Sequence, residues 1–489
     1  MTTAANSAAP SGVNAINLNY LEHVMEMSKT HVVSASEDIF DDAGTLLWAK
    51  GKRIDSRLQE KLIVRKLQRP LEVSLVVESG VTMESILALV QGIGTSNPTI
   101  FAIARKHLSA AINSFAAASL CQPACLLLTT LQNSRPHVFA HSVEVALLSA
   151  SLAIQIGLPP ESVEHLIIGG LLHDVGELYI NPDYLDQKRS LTPSEWKHIA
   201  AHPRISQLIL ESLTDYPKPI ARAIAEHHER FDGSGYPRGI AGNNMSRCGQ
   251  ILSMAEMLSG ILHNRSYPIV RATLAVKLIP GEFPAELINA IGEMRRASSA
   301  PPQEAAGFAA AAVPELIQKT RVVGMALSGS INECRLIQLQ ANKTPQPAKD
   351  LLAQIENRLL QLQKALSAIG LGDCFTSDYL DAQSSDNYEE TYLELDVVVC
   401  EISWRLRDIA RDLALKLEDF DEQAKSVFLP LATSLLVNQD QAEPCRPKQE
   451  QANAEASAPL RPLNSDDTLE VGAFSLPAQK VPHENARLH

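Results

Sequence analysis

The spacing of apolar and polar positions divides this chain into segments of different period. Between about residues 18 and 85 the pattern is mixed. "HVVSASEDIFDDAGTLLWAKGKRID" predicts short strands broken by Asp-Ala-Gly and Lys-Gly turns. "SRLQEKLIVRKL" predicts a helix and "PLEVSLVV" a further strand, with the basic "KLIVRKLQRP" as a solvated face. A small α+β module is expected over 16–85, after a frayed, small-residue segment 1–15. From 86 to 295 apolar residues recur at helical spacing. "SASLAIQIGLPPESVEHLIIGGLLHDVGEL" reads as helix, Gly-Leu-Pro-Pro stop, then a new helix. "LTPSEWKHIAAHP" carries a capping box, with Thr192 as N-cap, Pro193 at the first helical position and Glu195 two residues on. An Ala/Pro-rich linker is expected over 296–313. Helices are predicted over 314–342, 347–370 and 386–437, within a C-terminal helical region 314–437. The polar, Pro-rich remainder, 438–489, has the composition of an unfolded tail. The fold class read from this pattern is mainly α.

Composition narrows the class. With 489 residues, 45% hydrophobic and 20% charged, the chain can bury a core without disulfides or structural metal. A formal net charge of −13 argues against DNA and anionic membranes as partners. The seven cysteines are scattered, and "CQPAC" has no matching second pair, so reduced thiols are expected rather than a zinc ribbon. The N-terminal residues lack a basic and apolar leader, and no stretch approaches the roughly 18 to 20 apolar residues of a membrane span. A cytoplasmic location without membrane insertion is the expectation.

Histidine distribution changes the picture further. Nine of the 14 fall between 137 and 263. His173-Asp174 sits near the end of an otherwise apolar helix, where an unpaired carboxylate would cost several kcal/mol, on the order of the penalty for a buried charge. A cation removes that cost because it needs carboxylate and imidazole together. Adjacent helical positions diverge by about 100°, so His and Asp meet one metal only near a helix end, or serve two. His227-His228, at the end of "PIARAIAEHH", poses the same problem. Each pair alone reads more readily as core polar residues than as ligands. With His141 and His202 on two further helices, metal binding is the stronger reading. Gly233 and Gly235 let the following chain turn tightly and place Tyr236. Asp232 and Arg230 read as turn and surface residues, and His198, His165 and His263 as surface.

"HDVGE", "LTPSEWKHIAAHP" and "HHERFDGSGYPRGI" together resemble the HD-GYP family, the branch of HD-domain metallohydrolases that cleaves cyclic di-GMP in bacterial signalling. The resemblance covers roughly 135–295. It implies an all-helical core, here with a small N-terminal α+β module and C-terminal helices. It also implies two divalent ions, typically iron or manganese, and allows a third. Matched by motif, the implied ligands are His141, His173, Asp174, His202, His227 and His228, with Glu256 where the family has a late aspartate. Asp174 is implied to bridge and activate water. Arg265 is implied to lie near the substrate phosphates, and Tyr236, which matches the GYP tyrosine, is implied to belong with Asp174 and Arg265 to the catalytic set.

This chain departs from the family pattern in several places. The lysine expected three residues after Asp174 is Glu177, readable as a ligand, as a partner to a third cation, or as the mark of a lost activity. His137 stands one turn before His141 and could serve as a further ligand. Pro268 replaces a common basic residue. Two functions stay open: a phosphodiesterase yielding the linear dinucleotide or GMP, and a degenerate module that binds nucleotide or protein. The C-terminal leucine-rich helices could pack on the core or serve a second subunit or signalling partner.

Overall fold

The computed structural model describes residues 16–186, 192–262, 268–297, 313–339, 345–368, 388–417 and 420–437. The expected linker's residues 298–312, the segments 1–15 and 438–489, the site candidate Arg265 and the expected surface residue His263 lie outside the described residues. The remaining elements are helical apart from two small antiparallel pairs. Val33–Ala35 pairs with Leu75–Val77, Val33 opposite Val77, and Ile39–Phe40 pairs with Leu46–Trp48.

Within the N-terminal module the expected second strand is shorter than the pattern implied. Leu71–Ser74 makes one helical turn and only Leu75–Val77 pairs. Pro70 fixes φ at −53° and opens the turn, and the Ser74 hydroxyl donates back to its carbonyl. The helix Ser56–Ile63 is capped by Asp55, whose carboxylate accepts from the N–H groups of Arg57 and Leu58. It stops at Ile63 because only Leu58 and Leu62 find a core, and the basic stretch beyond it faces solvent, Val64 included.

The helical core follows the predicted punctuation. Helix Pro136–Gln155 ends before Gly157, and Pro160–Leu172 begins after Pro159. Beyond its first turn Pro136–Gln155 is apolar on nearly every side, and Ser142 to Ala153 are buried by neighbours all round. Among the described residues it is the one helix long and apolar enough to cross a membrane, and 78% of that apolar window is buried inside the molecule. Gly170 allows Pro160–Leu172 to press on it, since a Cβ there would stand 2.5 Å from the Ala146 Cα. Arg247–Leu262 and Lys218–Ala225 pack beside them. One continuous apolar core runs from Tyr20 of the N-terminal module to Met294. The module is therefore seated on the helical region, with the Tyr20 ring stacked 4.8 Å from Tyr179.

A second core gathers the C-terminal helices Val313–Leu339, Gln346–Ala368, Tyr388–Leu417 and Glu422–Val437. The expected helical stretch 386–437 is two helices. Asp421 begins the second, its carbonyl accepting from the Lys425 N–H. These helices pack within the same chain: Tyr388–Leu417 lies on Pro268–Leu278 and on Pro193–Ala200.

Candidate metal centre

The sequence placed His173-Asp174 and His227-His228 near helix ends, and the backbone breaks at both. Helix Pro160–Leu172 stops at His173, and a 3₁₀ segment, Val175–Tyr179, follows Asp174. Helix Lys218–Ala225 ends just before His227. His202 opens helix His202–Leu213. Leaving the helix lets adjacent side chains converge where regular geometry would splay them. Gly176 makes the turn after Asp174 possible, because a Cβ would lie 2.5 Å from the His202 carbonyl oxygen.

Seven residues meet there in two donor groups. Asp174, His202, His227 and His228 form one and His141, His173 and Glu256 the other, the donor atoms of each lying within 4.8 Å of one another. The Asp174 carboxylate reaches both. Its Oδ1 is 3.2 Å from His202 Nε2 and 3.6 Å from His227 Nε2, and its Oδ2 is 3.1 Å from His173 Nε2. Glu256 Oε2 sits 2.8 Å from His141 Nε2 and 3.3 Å from His173 Nε2. The extra methylene of Glu256 does not keep it from the centre.

The imidazoles are oriented from behind. Nδ1 of His173, His202 and His227 faces the carbonyl three residues earlier, at 2.8, 2.7 and 2.6 Å. His141 Nδ1 faces the Ser259 hydroxyl at 3.0 Å, which donates to Glu144, itself held by Asn97. With Nδ1–H donating to a carbonyl, Nε2 of a neutral ring presents a lone pair to the centre. His202 Nε2 and His227 Nε2 stand 3.0 Å apart. Two lone pairs at that distance repel unless a proton or a cation lies between them. His173 Nε2 is buried, close to two carboxylates yet aligned in a hydrogen bond with neither. This donor set fits divalent metal: nitrogen and carboxylate oxygen, oriented, and under-satisfied without a cation.

Proton affinities within the cluster follow the same logic. Burial works against charge on His141, His173 and His202, but Glu256 beside the first and Asp174 beside the other two outweigh it, and all three are raised. His227 is pushed down to about 3 by burial and by the neighbouring His173 and His202. Burial and His227 also hold His228 well below the ordinary imidazole range. Asp174 and Glu256 lie well below usual carboxylates, because the histidines around them overcome the cost of burial.

Glu177 and His137 stand outside both groups. Glu177 is ion-paired at 2.6 Å with Arg135, each side chain 14% exposed. Burial and Asp174 raise its pKa, against the pull of Arg135. His137 is exposed at the rim, within electrostatic reach of Arg135 and His141. His198 is on the surface as expected. The His165 side chain is largely buried, 12% exposed, because its helix packs it inward, yet it is apart from the centre.

The loop 229–241 closes one side. Glu229, fully buried, accepts from the N–H groups of Arg238 at 2.8 Å and Ile240 at 3.0 Å. Gly235 passes so close that a Cβ would be 2.4 Å from the Glu229 Cα, and Gly233 has φ +82°. Tyr236 is thereby stacked 4.6 Å from His228. Asp232 caps the turn through the Ser234 N–H and is exposed, as its turn role requires. Arg230 is not a surface residue. Its side chain is 11% exposed, and the guanidinium donates to Ser253 and lies 3.7 Å from Glu282, because the loop folds that side chain under itself. Sequence reasoning missed Glu229, Glu144 and Arg135. An acid inside "HHER" was the available signal for the first; the other two have partners on distant elements.

Fold and centre together define a helical domain of the HD metal-binding class. Residues 126–279 match the family model described as HD domain. It is 33% identical over 132 residues to a 3'3'-cGAMP-specific phosphodiesterase of Vibrio cholerae, covering 27% of this chain and 28% of that protein. It is 30% identical over 167 residues to a cyclic di-GMP phosphodiesterase of Pseudomonas aeruginosa, covering 34% of this chain and 40% of that protein. A solved HD-GYP-type protein from Bdellovibrio bacteriovorus is similar over 44% of this chain and 70% of that chain, at 19% identity and a TM-score of 0.30. The chain spans less than half the length of these two curated relatives.

Proposed function

We propose that this chain is a metal-dependent phosphodiesterase that opens a cyclic dinucleotide, cyclic di-GMP first, to the linear dinucleotide or GMP. The observation that carries the reading is the Asp174 carboxylate shared between two donor groups, the arrangement that suits a pair of adjacent cations. His202, His227 and His228 with Asp174 would hold one ion, and His141, His173 and Glu256, with Asp174 beside them, would hold the other. Iron or manganese suits this mixed imidazole and carboxylate set. A bound pair supplies Lewis acidity and a water of lowered pKa. The protein's own part is orientation: backbone carbonyls fix three imidazoles, and Tyr236 buttresses His228. Arg265 is assigned to the charge that develops on the phosphate as the ribose oxygen leaves.

The similarity to enzymes named for cyclic di-GMP and 3'3'-cGAMP supports the substrate class. The Arg135–Glu177 pair also bears on the degenerate alternative. Glu177 does not present a bare anion to phosphate, because a guanidinium neutralises it. The test is the purified protein assayed with cyclic di-GMP while its metals are counted. Two ions per chain with release of linear dinucleotide or GMP are expected. Two ions with binding but no cleavage would establish the binding module instead, and a protein that takes up no metal would end both parts of the reading.

A further inference from the structure

The C-terminal helices lie outside residues 126–279, yet one of them reaches the rim of the metal centre. From His228 the contacts run outward through stacked Tyr236 to the Trp196 ring, 6.2 Å from Tyr236 at 67°. Over the Trp196 ring, 4.5 Å from its centroid, lies the guanidinium of Arg411 from helix Tyr388–Leu417. Arg411 also acts electrostatically on the Tyr236 hydroxyl, so both face the same region. The helix is not free to drift. Arg405, six residues earlier on the same helix, is buried and bonded to Glu282 at 2.7 Å and Glu401 at 2.9 Å, and Glu282 in turn neighbours Arg230 under the loop that carries Tyr236.

Arg411 is held but not saturated. One terminal nitrogen donates to Asp408 at 3.2 Å, and Arg358 occupies the other oxygen of that carboxylate. Its Nε is buried without a hydrogen bond, and 39% of the side chain is open to solvent. A guanidinium spread on an indole, beside a tyrosine at the mouth of a metal centre, suits an anionic ligand with purine faces and hydrogen-bonding edges.

We propose that Arg411 is a substrate-binding residue, contributed by the C-terminal region, that holds the half of a cyclic dinucleotide farther from the phosphate being cleaved. The proposal rests on the phosphodiesterase reading above. Its position, three ring contacts out from His228, assigns it to affinity rather than to bond breaking.

The experiment compares full-length wild type, Arg411→Ala and Arg411→Gln on cyclic di-GMP and on bis(p-nitrophenyl) phosphate, a diester that lacks the second phosphate and the purines. Calorimetric binding of cyclic di-GMP is measured in parallel. For Arg411→Ala, KM for cyclic di-GMP rises about tenfold, the scale of one hydrogen bond to a charged group, with kcat changed far less. The preference for the dinucleotide over the small diester falls by a similar factor. Arg411→Gln, which keeps a flat polar group over Trp196, gives a smaller loss and serves if the alanine variant does not fold. Equal losses on both substrates, or no change in KM or Kd, overturn the proposal while leaving the phosphodiesterase reading intact. Binding by wild type without hydrolysis, weakened in the variants, overturns that reading and supports Arg411. A wild type that neither binds nor cleaves overturns both.

Discussion

Asp174 is the residue on which the two donor groups depend, and its removal is a direct test of them. Asp174→Ala should lose at least one metal per chain, measured by elemental analysis, because two neighbouring cations lose the anion between them. Protons compete for the same site. His141, His173 and His202 have raised pKa values and keep their protons above the ordinary 6.5, whereas His227 and His228 are already neutral there. The sign follows: in the metal-free protein the raised trio adds stability that is complete below 6.5 and is lost as pH climbs through the raised values. Metal must displace those protons. As pH climbs from the ordinary 6.5 through the raised values, metal affinity should therefore rise, with proton release read by calorimetry in buffers of different ionisation enthalpy. Flat affinity across that window would show that the three histidines are not ligands. Glu177 shows the reach of sequence at this scale. Its departure from the family was plain in "HDVGE", but its partner was not, because Arg135 stands at the start of another helix. Glu177→Lys would face one cation with another in a largely buried pair. A loss of about 3 kcal/mol, the scale for a broken buried ion pair, is expected in denaturant unfolding, without tighter substrate binding.

Elements were most legible where punctuation is chemical. The Thr192 capping box and the Gly-Leu-Pro-Pro break stand where the residues put them, since caps and prolines act locally. The strand expected over "PLEVSLVV" was shortened by Pro70, and pairing length depends on a distant partner strand. The loop 229–241 shows both cases. Its glycines announced a tight turn, but the buried carboxylate that holds it did not announce itself. Glu229→Ala removes the acceptor of two N–H groups at once. The expected cost is about 2 kcal/mol in unfolding, with a fall in kcat greater than the change in KM as Tyr236 loosens from His228. Full activity in that variant would mean that the glycines alone set the loop.

At the scale of the whole molecule, charge buried between elements ties the C-terminal helices to the HD region. Leucine spacing foretold these helices, but not what they lie against, because a helical period defines an apolar face and leaves its partner open. Arg405 supplies the missing information. Its guanidinium, 7% exposed, sits between Glu282 and Glu401, and Arg271 pairs with Asp396 along the same helix. An ion network of this kind is weak as a source of net stability, yet costly to break on one side. Arg405→Met fills similar volume but takes away the guanidinium that Glu282 and Glu401 share. It should lower unfolding free energy by about 3 kcal/mol or more. Because Glu282 also neighbours Arg230 and accepts, through its carbonyl, the Phe231 N–H, the damage should pass to the loop. KM for cyclic di-GMP should then rise together with the loss of stability. The triple change Arg405→Met, Glu282→Gln, Glu401→Gln removes the stranded charges and should recover most of the stability, as read by thermal unfolding. Recovery of stability without recovery of KM would assign the network to holding the C-terminal wall in place; no loss of stability in Arg405→Met itself would show that the arginine only fills space.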